Sequence, residues 1–158
     1  MAEKKTNVMR ILEKEKINYK SYEYDTSDDL IDAISVAKKL DQNINQVFKT
    51  LVTVGNSKNN FVFVVPAGSE LDLKKAAKSV GEKNVEMIKV ADINKTTGYI
   101  RGGCSPIGMK KSFSTVIHTS AIDFDTIIIS GGKKGVQVEL SPHALSNLVG
   151  SSFSDIIK

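Results

Sequence analysis

Two runs of β-branched and aromatic residues, 47–54 and 61–65, constrain this chain more than any other feature. Between them lies Gly55-Asn56-Ser57-Lys58-Asn59-Asn60, a string of turn-forming residues, so the pair predicts a β-hairpin. Pro66-Ala67-Gly68 closes the second run. Shorter runs at 85–90, 115–118, 126–130 and 136–140 predict further strands, the last two joined through Gly131-Gly132-Lys133-Lys134-Gly135.

Helical spacing surrounds these strands. From a cap at Thr6, residues Val8, Ile11, Leu12 and Glu15 fall at helical intervals. Leu30, Ala33, Ile34, Ala37 and Leu40 predict a second helix, with Asp28 and Asp29 at its start and Lys38 and Lys39 at its end to complement the helix dipole. Asp72 is placed to cap a third, with Leu73, Ala76, Ala77 and Val80 inward, Lys74, Lys75 and Lys78 in solvent, and a stop at Gly81. Ser141-Pro142 opens a last helix that Gly150 ends. Because the strands come mostly as hairpins, the expected fold is α/β of the α+β kind. Its sheet would be mixed, mainly antiparallel or barrel-like, with helices packed around it. No repeat, linker or low-complexity segment divides residues 1–158, so one domain is expected.

Composition narrows the function classes. The 158 residues are 41% apolar, enough for one ordinary core. Lys and Arg total 22 against 18 Asp and Glu, a formal +4 that allows a polyanionic partner without requiring one. One cysteine and two histidines rule out a disulfide scaffold and a Cys-rich zinc module, and suit a reducing compartment. No apolar run approaches the roughly 18 residues that span a bilayer. Residues 1–6 lack the pattern of a secretory signal, so a cytoplasmic protein without membrane contact is expected.

The chain has no nucleophile elbow, zincin motif, phosphate-binding Gly-Lys-Ser/Thr loop or dinucleotide fingerprint. No local pattern ties Cys104 to His118 or His143, and both histidines read as surface polar residues. Lys49 stands out because it interrupts a strand of apolar residues and threonines. It reads either as a gatekeeper on an edge strand or as an ammonium at a pocket rim, holding a phosphate, carboxylate or carbonyl. From 93 to 122 there is no acidic residue, while Lys95, Arg101, Lys110, Lys111 and the glycines Gly102, Gly103 and Gly108 lie there. That stretch is the best candidate to face an anion, although Gly-Gly also suits a tight turn or bulge.

The string Thr97-Gly98-Tyr99-Ile100-Arg101-Gly102-Gly103-Cys104-Ser105-Pro106-Ile107-Gly108 resembles the signature of the YbaK/EbsC family of aminoacyl-tRNA deacylases. Val47-Phe48-Lys49-Thr50-Leu51, Leu71-Asp72-Leu73-Lys74-Lys75, Ser130-Gly131-Gly132-Lys133-Lys134-Gly135 and Val138-Glu139-Leu140 match in the same order, so the likeness spans about 46–150. Within the family the chain is most similar to YbaK-type proteins, which deacylate cysteine wrongly attached to proline tRNA.

The resemblance implies the mixed α/β fold of the editing domain inserted in some prolyl-tRNA synthetases. It also implies a free-standing enzyme that cleaves the 3′ ester of aminoacyl-tRNA, with no metal or organic cofactor. Lys49 and Gly102 would carry the catalytic roles. Tyr22, Gly103, Ser105, Pro106, Gly131, Gly132, Lys133 and Gln137 would contact substrate. Gln137 stands where some members have aspartate, and keeps hydrogen-bonding capacity without the charge. Cys104 and Arg101 stand where apolar residues are common. The implied mechanism is attack by the substrate cysteine's own thiol, releasing a thiolactone. Prolyl-tRNA synthetase is the implied partner, and no DNA is expected. Two alternatives stay open: a deacylase for another small amino acid such as alanine or serine, and a non-catalytic module that binds tRNA or a synthetase.

Overall fold

The computed structural model describes residues 5–30, 32–100 and 102–158, arranged on two sheets. The predicted hairpin is there: β2 (Phe48–Gly55) and β3 (Asn60–Pro66) pair antiparallel, Phe48 opposite Pro66 and Val54 opposite Asn60. On its other side β3 takes β5 (Ser114–His118) in parallel, so it is a central strand covered on both faces. Such a strand reads as a continuous apolar run rather than an alternating one. Its residues feed two cores. Phe63 and Val65 join Leu71, Ala76, Val85 and Ile156, while Val64 joins Val8, Leu12, Phe48, Ile117, Ile127 and Leu145.

The five-stranded sheet has β4 (Val85–Met87) beside β2 at one end and β8 (Ser152–Ser154) beside β5 at the other. A smaller antiparallel sheet runs β1 (Tyr19–Glu23), β7 (Val136–Leu140), β6 (Ile127–Ser130). Its edge strand β6 touches the large sheet through an isolated bridge from Ile128 to Val47, just ahead of β2. Four of the six pairings are antiparallel, the mixed sheet expected.

Three helices start where the sequence predicts. The Thr6 hydroxyl accepts from Met9 N ahead of α1 (Asn7–Lys14), and the Asp72 carboxylate accepts from Lys74 N and Lys75 N ahead of α3 (Leu73–Ser79). The Ser141 hydroxyl accepts from Ala144 N ahead of α5 (Pro142–Val149). The remaining long prediction fails at its start. The helix α2 spans only Ala33–Lys39 and is capped by Asp32, whose carboxylate accepts from Ser35 N. Asp28 and Asp29 lie in the loop before it, and Leu30 and Ile34 are 51% and 43% exposed rather than inward. The cause is local competition. Asp25 accepts from Ser27 N at 3.0 Å and Asp28 from Leu30 N at 3.1 Å, side-chain bonds that hold the backbone in turns.

Other differences share one reason, that short elements carry little periodic signal. The 85–90 run is strand only to Met87, and α4 (Ile93–Thr97), β1 and β8 were not anticipated. Leu73, the first residue of α3, is exposed, not inward. His118 is a further correction, being buried rather than a surface residue. Its Nδ1 accepts from Ser120 N at 3.1 Å, so Nε2 carries the proton and lies 3.4 Å from Asp155 Oδ1. His143 is exposed, as predicted. Among the described residues no helix is long and apolar enough to cross a membrane. Arg101, part of the predicted anion-facing stretch, lies outside the described residues, as do 1–4.

Phe63 is wholly buried where β3 meets α3, so Phe63→Ala should destabilise the fold by about 3–5 kcal/mol. In urea unfolding the midpoint should fall with an unchanged m value; a shift below about 1 kcal/mol would show that β3 is not the anchor.

Candidate active site

A cleft of about 560 Å³ opens where the two sheets meet. Four segments wall it: the start of β2 with Lys49 and Thr50, the loop and first turn of α2 with Asp29 and Asp32, the glycine segment with Gly102 and Cys104, and the β6–β7 hairpin with Ser130, Lys134 and Gln137. Phe48, Val47, Val36, Ile129 and Val136 supply its apolar lining.

Each wall is held by identifiable contacts. The small cluster of Ala37, Val47, Ala67 and Ile128 fixes α2 against both sheets. The Lys39 ammonium donates to Asp25 O and to Asp28 Oδ1, both at 2.7 Å, and so ties the preceding loop to α2. Tyr24, on the same side of the cleft, donates its N–H to Gly135 O at 3.0 Å. Gly102 has φ +88, a left-handed conformation that suits glycine. A Cβ on the next residue, Gly103, would stand 2.9 Å from Lys133 Cα, so the glycine segment and the 131–135 turn can meet only without that atom.

The structure thus gathers three of the expected residues in the cleft: Lys49, Gly102 and Gln137. The others stand around it. Tyr22 is on β1 opposite Gln137, and its hydroxyl donates to Glu139 Oε1 at 2.5 Å instead of lining the cleft. Gly103 and Gly131 are buried packing positions, and Gly132 N donates to Ser130 Oγ at 3.2 Å. Ser105 is buried, accepting from Ile107 N at 3.3 Å, and Pro106 lines a separate cavity of about 230 Å³. Lys133 is exposed beside the turn, while its neighbour Lys134 is the one that reaches the cleft. Asp29, Asp32, Thr50 and Cys104 come into the cleft without having been predicted there. In the sequence Asp29 reads only as a helix-dipole complement, and nothing there signals Asp32.

Burial pulls the Lys49 ammonium below the usual lysine range, and the Glu70 carboxylate partly opposes it. Burial pushes the Cys104 thiol up to about 11, with a weaker opposite effect from a Thr97 hydrogen bond. The Tyr22 phenol is also raised, first by its bond to Glu139 and then by burial. Burial raises Glu139, but hydrogen bonds from Thr126 and Tyr22 outweigh it and leave the carboxyl below its ordinary value. Two buried atoms have no partner among the described residues, Thr50 Oγ1 and Gln42 Oε1. Each such group costs about 1–3 kcal/mol unless something meets it.

Chemically, the cleft offers two ammonium groups, of Lys49 and Lys134, the backbone of Gly102 and Cys104, a carboxamide and two carboxylates. Neither histidine lines it, and its one thiol is held neutral at physiological pH. Among the described residues no three His, Cys, Asp or Glu side chains gather as metal ligands. The arrangement can bind and orient a ligand with both anionic and cationic parts and stabilise developing negative charge, whereas it holds no paired nucleophile and base.

Comparison with known proteins gives the same direction. Residues 29–148 match the family model described as the aminoacyl-tRNA editing domain. A protein of Enterococcus faecalis (strain ATCC 700802 / V583), named "Putative Cys-tRNA(Pro)/Cys-tRNA(Cys) deacylase EbsC", is 50% identical over 98% of this chain and 94% of its own. Among solved structures, one titled "Crystal structure of a putative trans-editing enzyme for prolyl tRNA synthetase" aligns over 98% of this chain and 99% of its own, with TM-score 0.82 and 22% identity. Another, "hypothetical protein APE2540", aligns over 96% and 99% with TM-score 0.87 and 18% identity. These two speak for the fold. The family match covers every wall of the cleft, and with the half-identical relative it places this chain in the aminoacyl-tRNA editing domain family.

Proposed function

We propose that the chain is a trans-editing deacylase that removes cysteine mischarged on tRNA, with Cys-tRNA(Pro) as its substrate, acting in the cytoplasm as one domain. The observation that carries this reading is the make-up of the cleft. It combines Lys49, the Gly102 segment and Gln137 with no histidine and a Cys104 thiol near 11. The name of the half-identical relative, which couples cysteine with tRNA(Pro) and tRNA(Cys), supports the same substrate.

The reaction follows from what the site lacks. A cysteinyl ester brings its own nucleophile: a free thiol near pKa 8.5 is a few per cent thiolate at neutral pH, whereas a serine hydroxyl is essentially none. The substrate thiol passes its proton to solvent, which returns one to the leaving oxygen, and the sulfur attacks its own ester carbonyl, forming a carbon–sulfur bond and a tetrahedral oxyanion. Collapse breaks the bond to the ribose 3′ oxygen, which leaves as the tRNA hydroxyl after taking a proton. The products are a cysteine thiolactone and intact tRNA, and water opens the thiolactone afterwards. On this reading the Gly102 and Cys104 amides serve the carbonyl oxygen, since Gly103 N donates to Ile100 O at 3.0 Å. Lys49 and Lys134 hold the terminal nucleotide, while Asp29 and Asp32 are the carboxylates available to the substrate's α-ammonium. Binding holds the sulfur in an attack-ready conformer. A surface of only +4 reads tRNA backbone without choosing bases, so a transient complex with prolyl-tRNA synthetase supplies tRNA selectivity.

The test is release from purified mischarged tRNAs. Cysteine should be released, seryl ester at least about a hundredfold more slowly, and S-methylcysteinyl ester not at all, because oxygen is smaller than sulfur and pocket size alone discriminates near-isosteres weakly. Comparable cysteine and serine rates, or free cysteine as the first product by rapid mass spectrometry, would favour an activated water instead. Lys49→Ala should lower kcat/KM at least tenfold while shifting stability by no more than about 1 kcal/mol. Wild-type turnover in that variant would show that the Lys49 ammonium takes no part in the reaction.

Cys104→Ser should keep near wild-type activity, because the attacking thiol belongs to the substrate. A raised thiol pKa leaves less thiolate at any pH below it, so a shift from 9.0 to about 11 leaves, at neutral pH, about a hundredfold less thiolate in the folded protein than in the unfolded chain. Iodoacetamide labelling of the native protein should therefore climb about tenfold per pH unit from pH 8 to 10; a plateau by pH 9 would contradict it.

A further inference from the structure

Gln137 is 6% exposed on the cleft wall, and Gln42, from the turn after α2, donates Nε2 to Gln137 Oε1 at 2.8 Å. The remaining amide atom of Gln42, Oε1, is buried and has no partner among the described residues. This orphan decides which way the pair faces. Turning both amides over would keep the mutual bond but leave an NH2 group where the bare carbonyl oxygen now stands. Orphaned N–H groups are rarer in proteins than under-satisfied carbonyls. The Gln137 carbonyl is therefore committed to Gln42, and its Nε2 is the atom left for the cleft. No described residue accepts from that nitrogen.

We propose that Gln42 is a positioning residue that locks the Gln137 carboxamide with its N–H edge toward the cleft, making residue 137 a hydrogen-bond donor to the carbonyl oxygen of the aminoacyl ester. This rests on the deacylase reading and deepens it. A carboxylate at residue 137, where some members of the family have aspartate, could only accept, so the carboxamide gives this chain a donor that such a residue lacks. A carboxamide held in this sense adds a side-chain donor beside the backbone amides of the Gly102 segment. The bond to Gln42 also removes the rotational freedom that an unrestrained glutamine would lose on binding. A donor aimed at developing charge works mainly in the transition state, so its loss should appear in kcat rather than KM.

The experiment compares the wild-type chain, Gln137→Glu, Gln42→Met and Gln42→Leu on Cys-tRNA(Pro), and follows the side-chain amide of Gln137 by NMR. Gln137→Glu keeps the shape and loses the donor; its kcat should fall about a hundredfold with KM within threefold. Gln42→Met should lower kcat about tenfold with KM within threefold and no drop in melting temperature, while the Gln137 amide resonances move and broaden. Gln42→Leu repeats the measurement if the methionine packs poorly. Wild-type kcat in Gln137→Glu, or an unmoved Gln137 amide in both Gln42 variants, would overturn the proposal and leave the deacylase reading standing. Failure of the wild-type chain to release cysteine from any Cys-tRNA would overturn that reading, and this proposal with it.

Discussion

The architecture depends on burying β3 on both faces. Val62, Phe63, Val64 and Val65 are all fully buried, and because successive side chains point to opposite faces, one strand binds two cores together. Everything that makes the cleft is referred to that strand. Its hairpin partner β2 carries Lys49 and Thr50, paired with Val65 and Val64. The bridge from Val47 to Ile128 docks the smaller sheet beside the start of β2, and the contact of Ala37 with Val47, Ala67 and Ile128 sets α2 over the same junction. The cleft is the space left where these pieces meet.

That origin explains the chemistry of the site. A sheet junction places backbone-rich turns and strand ends around a partly apolar hollow, so the available groups are backbone amides, two ammonium groups, two carboxylates and a carboxamide rather than a rigid nucleophile and base. Polar groups behind the wall stiffen it. Glu139 accepts from Tyr22 and from Thr126, each at 2.5 Å, and Gln46 donates to Thr126 Oγ1 at 3.0 Å, so the face of β7 that carries Gln137 is braced from both sides. Such a site suits a substrate that supplies its own reactive group, since positioning and charge stabilisation are what it offers.

Much of this was legible in the chain. The hairpin, three of the helix caps and the β6–β7 turn follow from strand-forming runs, Ser, Thr and Asp ahead of helical spacing, and glycine clusters, all of them local signals. Lys49 was visible because a charge in an apolar strand needs a reason, and Gly102 because paired glycines permit an unusual backbone. The failures are equally physical. At 28–34 the helical spacing of Leu30 and Ile34 was real, yet Asp25 and Asp28 bonded to the nearby backbone and kept the chain in turns. β1 carries only half-buried Tyr19 and Tyr22 between exposed neighbours, too thin a pattern to announce a strand.

By itself the sequence determined the hairpin, the helix starts, the basic balance and, through the order of its motifs, the family. These rest on neighbours along the chain, whose interactions do not depend on the rest of the fold. Only the tertiary structure decided that Asp29, Asp32 and Cys104 share a cleft with Lys49, that Tyr22 is spent on Glu139, and that Gln42 holds Gln137 from 95 residues away. Those choices depend on which surfaces meet when β3 is buried. Packing of that kind joins residues by shape and solvent exclusion, which leave no periodic trace in the order of amino acids.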